Sequence, residues 1–400
     1  MKRSHQNRAL ACAGALLAVL PGVRSDAAYT WNEIQFSGFV SQGFVYSSDN
    51  DYLGTESSDG DFDMREYAFS ASRRFGSQWR VGAQVFGQRL GRFGHDTPTL
   101  DWAIVDYNVS QTFGIRAGRI KVPRGLYNEA LDLDIARVQS LLPQSIYDAR
   151  LRDFNASVDG AMFYGSFGLG QAGSLDYKVY YGEKRIARDG GVRDFASDGT
   201  PTLMDRASVD SAYGASLVWS AADIPLRLSA TFQRLDNLDI VSPVFGMPGM
   251  ETAVFFPDGL DSVILSAEYM LDQWTFVAEA GRGSGDISLR TNFGMPVSSL
   301  GSYETDYGYV SAARRLSDRV EVGAYVSFAV DGERTGLSND HQYDYALSFR
   351  FDPRDRVVLK AEAHYVDGTG LIADRIDAPQ SVASRKSTWT YYTAKVTFFF

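Results

Sequence analysis

The chain has 400 residues, a formal net charge of −10 at pH 7, 44% hydrophobic residues and a mean hydropathy of −0.20. No apolar run reaches the roughly 18 residues that a membrane-spanning helix needs, which excludes a polytopic helical membrane protein. The acidic balance argues against nucleic-acid binding. The length is compatible with several domains or with one long all-β domain.

The first 27 residues are organised like a secretory signal peptide. Three basic residues, Lys2, Arg3 and Arg8, precede an apolar run over 9–20, and small residues around Ala27 provide a cleavage site. We therefore predict that 1–27 is a signal peptide and that the chain is exported.

The only cysteine of the chain, Cys12, lies inside this apolar run. In a lipoprotein signal the cysteine would follow the run, so we favour cleavage after Ala27. The predicted mature chain, 28–400, then has no thiols, 35 basic residues and 48 acidic residues. An exported chain without disulfides needs another source of stability, and the hydrogen bonds of a closed β-barrel would provide it.

Sixteen segments of the mature chain alternate between apolar and polar residues with a period of two, the pattern of a half-buried strand. Each is close to the 9–11 residues that a tilted transmembrane strand requires. The segments are 33–47, 62–74, 79–90, 99–110, 113–121, 156–167, 173–183, 211–220, 225–235, 261–270, 274–283, 305–316, 319–329, 342–351, 356–366 and 387–400.

Short and long connections alternate between these segments. The long ones are 48–61, 91–98, 122–155, 184–210, 236–260, 284–304, 330–341 and 367–386. Transmembrane β-barrels have short periplasmic turns and long extracellular loops. An even number of strands brings the first and last strands together in the periplasm, so that they can close the barrel.

Large aromatic residues concentrate at the two ends of the predicted strands, as expected where strands cross the two interfaces of a membrane. Those on outward faces beside short connections are Trp79, Phe113, Trp219, Trp274, Phe351 and Phe400. Those toward the long connections are Tyr46, Tyr307, Tyr343 and Tyr365.

The last ten residues show a strict alternation. Tyr392, Ala394, Val396, Phe398 and Phe400 fall on one face, and polar residues fall on the other. This ending resembles the C-terminal strand of bacterial outer-membrane β-barrels, in which the final Phe is read by the barrel-assembly machinery. The resemblance implies a location in the outer membrane, in contact with its lipid and lipopolysaccharide.

The longest connection, 122–155, follows the fifth predicted strand. The stretch 118–126 reads Gly-Arg-Ile-Lys-Val-Pro-Arg-Gly-Leu and resembles the Gly-Arg/Lys-Phe-Lys-x-Pro-x-Gly-Leu motif of the phosphate-selective O/P porin superfamily. By position and length, the connection also resembles the third loop of general porins, although their Pro-Glu-Phe-Gly-Gly type motif is absent. That second resemblance implies a loop folded into the lumen, where it sets the narrowest cross-section.

Charged residues in and near this connection are the candidate pore-lining residues. Opposite charges at a constriction create a transverse field, which sorts solutes together with the aperture. The simpler alternative is that these residues pair with one another and hold the loop in shape. The candidates are Arg116, Lys121, Arg124, Glu129, Asp132, Asp134, Arg137, Lys178, Lys360 and Glu362.

Basic and acidic residues are equally numerous among the charged strand residues that the alternation places on the inner face. The basic ones are Arg80, Arg116, Lys178, Arg227, Arg314, Arg350, Lys360 and Lys395. The acidic ones are Glu66, Asp106, Asp176, Glu268, Glu279, Glu321, Asp344 and Glu362. The excess of acidic charge lies in the long connections, with five acids and no base in 48–61 and four acids and no base in 236–260. An acidic entrance concentrates cations, so we predict weak cation preference rather than phosphate binding.

An enzymatic function is the alternative to a channel, because some outer-membrane barrels are enzymes. The mature chain has three histidines, His95, His341 and His364, and no Gly-x-Ser-x-Gly elbow. No catalytic arrangement is evident, and no cofactor is indicated. The acidic stretch 49–63 does not have the spacing of an EF-hand loop, so a solvated loop is favoured over a Ca²⁺ site.

The patterns together predict an all-β protein, a sixteen-stranded antiparallel transmembrane β-barrel over 28–400 with 122–155 as its constriction loop. The predicted function is that of a porin for passive diffusion of small hydrophilic solutes and ions. The alternative is a selective channel, for an anion such as phosphate or a small organic solute, with a binding site in the lumen. Resemblance to sixteen-stranded porins also implies a homotrimer that associates through the outward faces of the first and last strands.

Overall fold

The computed structural model describes residues 29–186, 204–332, 338–372 and 385–400, together with residues 192 and 336. The predicted signal peptide lies outside the described residues. The strands are β1 (Tyr29–Trp31), β2 (Ile34–Ser47), β3 (Asp61–Phe75), β4 (Trp79–Leu90), β5 (Thr99–Ser110), β6 (Phe113–Lys121), β7 (Ser157–Gly168), β8 (Ser174–Ile186), β9 (Arg206–Ser220), β10 (Leu226–Pro243), β11 (Glu251–Phe255), β12 (Leu260–Leu271), β13 (Trp274–Thr291), β14 (Ser298–Ser317), β15 (Val320–Asp331), β16 (His341–Arg354), β17 (Val357–Gly368) and β18 (Thr388–Phe399).

Apart from residue 192, helical structure in the described part of the chain is confined to single turns. They are 3₁₀ turns at Asn128–Ala130, Asp134–Ala136, Ala149–Leu151 and Gly170–Ala172, and an α-helical turn, α1, at Arg152–Asn155. Within the described ranges, no helix is long and apolar enough to cross a membrane.

Sixteen of the strands form one closed antiparallel barrel. Each pairs with its neighbours along the chain, and β18 pairs with β2 to close the ring. Reciprocal backbone hydrogen bonds of 3.0 Å between Gly38 and Phe400 complete the seam. The two remaining strands, β1 and β11, are short additions that pair with the ends of longer strands. The predicted sixteen-stranded barrel is confirmed, and closure satisfies the backbone hydrogen-bonding groups within the wall.

Successive residues of each strand face opposite sides of the wall. On β10, Leu228 and Phe232 are exposed on the outer face, whereas Ser229, Thr231 and Gln233 are buried on the inner face. One of these buried polar residues, Thr231, accepts a hydrogen bond from the N–H of Gly125 inside the barrel. An apolar outer face and a polar inner face are typical of a barrel that stands in lipid.

Aromatic residues of the outer wall lie at both ends of the barrel. At the end with the short turns, Trp79 stacks on Tyr107 with ring centroids 4.3 Å apart. At the end with the long loops, Tyr46 stacks on Tyr392 with centroids 6.3 Å apart. These two ends are called the short-turn end and the long-loop end below.

Two residues of β14 were predicted on the wrong face of the barrel wall. Tyr307, predicted in the aromatic belt at the long-loop end, is buried, and its hydroxyl hydrogen bonds with Ser262 inside the barrel. Arg314, predicted on the inner face, lies on the outer face with its guanidinium 5.2 Å from the ring of Trp274. Both side chains combine an apolar body with a polar tip, so alternation of polarity does not assign their face.

Two predicted loops are largely β-structure. β10 and β13 have 18 residues each and β14 has 20, so that they extend past the neighbouring strands at the long-loop end. β11 pairs with both β10 and β13 in this extension. The connections predicted at 236–260 and 284–304 are therefore two extended hairpins, β10–β11 and β13–β14. They were missed because positive φ at Asn237 and apolar turns interrupt the alternation of polarity.

Candidate functional site

The connection 122–155 joins β6 to β7 and turns toward the interior at Gly125. This residue has φ +57°, a conformation that favours glycine. A side chain there would meet the Tyr147 hydroxyl and would lie 2.7 Å from the Glu279 carboxylate. The N–H of Gly125 donates to the Thr231 hydroxyl at 3.2 Å. The turn therefore brings the backbone into direct contact with the inner faces of β10 and β13.

Glu279 of β13 is the first anchor of the connection. Its carboxylate accepts hydrogen bonds from the hydroxyls of Tyr147, Tyr309 and Ser266, each at 2.7 Å, and from the backbone N–H of Leu126 at 2.9 Å. Several donors stabilise a carboxylate that is almost fully buried. Because Leu126 and Tyr147 both belong to the connection, Glu279 fixes two separate parts of it to one strand.

Asp134 is the second anchor, and it lies against β17 and β18. It accepts hydrogen bonds from Nζ of Lys360 at 2.9 Å, Nζ of Lys395 at 3.3 Å and the Thr397 hydroxyl at 2.6 Å, with Arg137 at 3.5 Å. Burial opposes ionisation of Asp134, but the surrounding cations outweigh it and hold the pKa of this carboxyl well below its usual range. The cluster is a buried network of opposite charges.

Asp132 is the third anchor, beside β4, β5 and β6. Its carboxylate pairs with Arg152 and Lys121 and accepts a hydrogen bond from Gln84 at 2.7 Å. The same two cations pair with Asp101, at 2.9 and 3.1 Å. Burial again opposes ionisation, and Arg152 and Lys121 together lower the pKa of Asp132 below its usual range.

The three anchors lie on different sides of the barrel. Gln84 is on β4 and Glu279 is on β13, and these strands are eight positions apart in the ring of sixteen. Lys360 and Lys395 lie between them, on β17 and β18. The hydrogen bonds of residues 122–155 thus reach strands on opposite sides of the closed wall.

Three other candidate residues also have partners. Glu129 pairs with Lys178 of β8. Glu362 of β17 accepts a hydrogen bond from the Ser348 hydroxyl at 2.6 Å and from the N–H of Leu141 at 3.4 Å. The simpler alternative, in which the charges pair and hold the loop in shape, therefore describes most of the predicted site.

Arg124 is the exception among the candidates in the connection. Its guanidinium is buried, donates to the Ile146 carbonyl at 2.6 Å and to the Tyr307 hydroxyl at 3.3 Å, and lies 5.6 Å from the Tyr307 ring. No carboxylate in the described part of the chain forms an ion pair with it. Neutral oxygens and an aromatic face thus surround this cation.

A row of arginines crosses the inner wall near the short-turn end. The strand register places Arg74 beside Arg80, Arg80 beside Asp106, and Asp106 beside Arg116. Arg116, the remaining candidate, pairs with Asp106 at 2.8 Å, and the Tyr164 hydroxyl donates to the same carboxylate. Across the described ranges, no hydrogen bond or ion pair involves Arg74 or Arg80. The row therefore has more positive than negative charge.

Sequence reasoning did not include Arg152, Asp101, Glu279 or Lys395 among the site residues. Glu279 and Lys395 had the correct inward parity, which was the available signal. Asp101 lies at the start of β5 next to a register shift, and Arg152 lies in a one-turn helix, so no periodic pattern pointed to either.

His364 lies between two carboxylates on the inner wall. Its Nδ1 is 3.0 Å from Asp344, its Nε2 is 3.7 Å from Glu362, and its ring stacks on Tyr391 at 3.8 Å. Among the described residues, no group of three or more His, Cys, Asp or Glu is arranged to hold a metal ion. The surroundings of His364 are those of a charge-paired histidine.

The closed sixteen-stranded antiparallel barrel is similar to solved structures of bacterial outer-membrane proteins, porins among them. Salmonella typhi OmpF in complex with daunomycin aligns with a TM-score of 0.57 and 11% identity, covering 93% of this chain and 99% of OmpF. OmpT of Vibrio cholerae, folded in vitro, aligns with a TM-score of 0.55 and 12% identity, over 95% of this chain and 100% of OmpT.

The anion-selective porin from Comamonas acidovorans aligns with a TM-score of 0.54 and 12% identity, covering 92% of this chain and 99% of that porin. No protein-family model and no curated protein sequence matches the chain. At these identities the likeness shows a common fold.

Proposed function

We propose that the protein is an outer-membrane porin that forms a water-filled channel for passive diffusion of small hydrophilic solutes and ions. The observation that carries the proposal is the closed barrel itself, with an apolar outer wall between two aromatic belts and a polar inner wall. A ring of sixteen strands is wide enough for an aqueous lumen. The short-turn end then lies in the periplasm and the long-loop end faces the outside.

The connection 122–155 is proposed to lie in the lumen and to set the aperture. Its anchors at Glu279, Asp134 and Asp132 join it to opposite walls, and they support this placement because the wall side chains that bind it lie on the inner faces of their strands. The paired charges of the anchors keep the connection in one conformation, so the channel is expected to have a stable conductance.

Ion currents and vesicle swelling test whether the protein forms a channel. The refolded mature protein in planar bilayers should give single-channel currents, and proteoliposomes should swell in isotonic solutions of small sugars. Intact, folded protein that leaves the vesicles impermeable to sugars and ions would contradict the proposal.

A second candidate is an anion-selective channel, and the arginine row favours it. Arg74 and Arg80 add positive charge to the inner wall, and Asp106, the carboxylate beside Arg80, already pairs with Arg116. The connection 48–61 makes the outer entrance acidic. The entrance predicts weak cation preference and the row predicts anion preference. Reversal potentials across a salt gradient distinguish the two, and Arg80→Gln should shift them toward cations if the row dominates.

Further elements of the proposal come from sequence patterns. Residues 1–27 are proposed as a cleaved signal peptide, and Phe400 as the signal read by the barrel-assembly machinery, with lipid and lipopolysaccharide around the wall. A homotrimer is proposed through the outer faces of β2 and β18. One solved neighbour is a trimer form of OmpT, with a TM-score of 0.52 and 11% identity. Native mass spectrometry that gives only monomers would contradict the trimer.

No enzymatic activity is proposed. Nε2 of His364, the atom that would activate a nucleophile in a hydrolase, lies 3.7 Å from the Glu362 carboxylate instead.

A further inference from the structure

The tips of the two extended hairpins carry the same tetrapeptide. Phe-Gly-Met-Pro occurs at 245–248, in the turn between β10 and β11, and again at 293–296, in the turn between β13 and β14. The glycine has a positive φ in both copies, +75° at Gly246 and +87° at Gly294. Both copies are therefore tight turns that place a Phe and a Met on either side of the glycine.

The two turns lie side by side. Asn292, at the start of the second turn, donates through its side chain to the Gly249 carbonyl at 3.0 Å, and its side-chain oxygen accepts from the N–H of Glu251 at 2.8 Å. The backbone N–H of Asn292 also donates to the Glu251 carbonyl. These bonds hold the two turns, called the twin tips below, at a fixed spacing.

The twin tips form an exposed apolar surface without charge. Phe245 is 84% exposed and Met295 is 59% exposed, and Met247 and Val297 are also exposed. Residues 243–250 and 292–300 contain no Asp, Glu, Lys or Arg. An apolar patch of this kind on an otherwise acidic protein marks an interaction surface.

The lipid around the barrel does not reach this surface. The apolar outer face of β13 ends at Arg282, which pairs with Asp306 at 2.7 Å on the outer face. Thr291, at the base of the tip, lies nine positions beyond Arg282 along the strand. At about 3.3 Å per residue this is ~30 Å of strand, and a tilt of about 45° still leaves ~20 Å of height. This step rests on the membrane placement proposed above.

We propose that the twin tips are a contact surface between two copies of this chain. A two-fold contact needs a self-complementary surface, in which each part meets its counterpart on the other copy. Two equal turns at a fixed spacing meet this condition, because the first tip of one copy contacts the second tip of its partner, and the reverse contact is equivalent. Two acidic copies repel each other elsewhere, and an uncharged patch lets them approach.

Disulfide cross-linking tests the geometry directly, because each copy contributes only two short turns and the contact is expected to fall below the ~1,200 Å² of stable complexes. Met247→Cys and Met295→Cys are placed in separate copies of the mature chain, 28–400, which has no other cysteine. The folded proteins are mixed in detergent and oxidised with copper phenanthroline and oxygen. Mixed dimers between the two variants should form several-fold more than with Glu56→Cys, a control thiol at an exposed position of the acidic connection 48–61.

Adding Phe245→Ser and Phe293→Ser to the cysteine chains should reduce this cross-linking to the level of the Glu56→Cys control. Tyr29→Ser with Trp31→Ser removes two exposed aromatic rings at the short-turn end and should leave it unchanged. Cross-linking that stays at the control level throughout, or that persists without the two phenylalanines, would overturn the proposal.

Lipid is tested separately, by mixing proteoliposomes with protein-free vesicles of the same composition. Tethering of the protein-free vesicles would assign the twin tips to a lipid surface instead and would overturn contact between copies. Channel conductance of the same samples is an independent readout, so failure of the porin function and failure of the twin-tip contact can be told apart.

Discussion

The connection 122–155 and the twin tips are both long segments outside the wall of the same barrel, but different interactions hold them in place. The connection has little regular structure and is held by buried charges that pair with the wall. The twin tips carry no charge and continue the strand hydrogen bonding of β10, β11, β13 and β14. Buried ion pairs fix a segment to a partner inside its own chain, whereas backbone pairing orders a segment and leaves its side chains free for a second molecule.

Among the changes considered, deletions within the two regions should differ the most in their effect on single-channel conductance. Removal of 128–145 from the connection should raise single-channel conductance severalfold, because the segment that joins opposite walls is lost. Removal of 244–249 from the first tip should leave conductance unchanged. Planar-bilayer recordings check both variants, and an unchanged conductance after the first deletion would place the connection outside the path of ions.

Breaking one ion pair in each region sharpens the comparison. Asp134→Asn leaves Lys360 buried without its carboxylate and removes one of the two carboxylates that pair with Lys395. Loss of one partner of a buried pair costs about 3–5 kcal/mol. Asp239→Asn removes the partner of Arg290 in the extended hairpins, where exposure limits the cost to ~0–1 kcal/mol. Thermal unfolding in detergent gives both values. Equal losses of stability would mean that Asp134 does not act as a buried anchor.

Acid should act on the connection within a defined range of pH. The pKa of Asp134 is depressed by Lys360 and Lys395 against the opposing effect of burial, so its anchor contributes stability above the unfolded pKa of about 3.9. That contribution declines only as the pH falls below this value toward the lower folded pKa. Conductance should therefore be constant from pH 7 to about 5 and should become noisier below about pH 4. In Asp134→Asn this acid transition should be reduced.

The smallest effects are expected for single side chains. Tyr147→Phe removes a hydroxyl that donates to Glu279 and accepts from the N–H of Tyr127, and a buried group left without its partner costs about 1–3 kcal/mol. Phe245→Ser changes an exposed side chain and should stay within ~0.5 kcal/mol of the wild type. Denaturant titration of the folded barrel measures both. A large loss from Phe245→Ser would show that the tip packs within its own chain.

The barrel was predictable from the sequence because its wall is a single sheet. Neighbouring residues of a strand therefore face two different environments, and their polarity differs accordingly. Each strand alternates between an outer apolar and an inner polar residue, as on β10, and the connections alternate in length. Sixteen strands and their antiparallel order follow from these local patterns. Errors occurred where the pattern is weak, at Tyr307 and Arg314, whose side chains suit either face, and in the extended hairpins, which stand away from the wall.

The site was only partly predictable. The sequence by itself determined that 122–155 is long and charged, and it also contains the repeated Phe-Gly-Met-Pro. Only the tertiary structure decided that Asp134 meets Lys360 and Lys395, that Asp132 meets Arg152, and that the two copies of the tetrapeptide are neighbours. The physical reason is that these contacts join residues far apart in the chain, and the closed barrel alone sets which strand faces which.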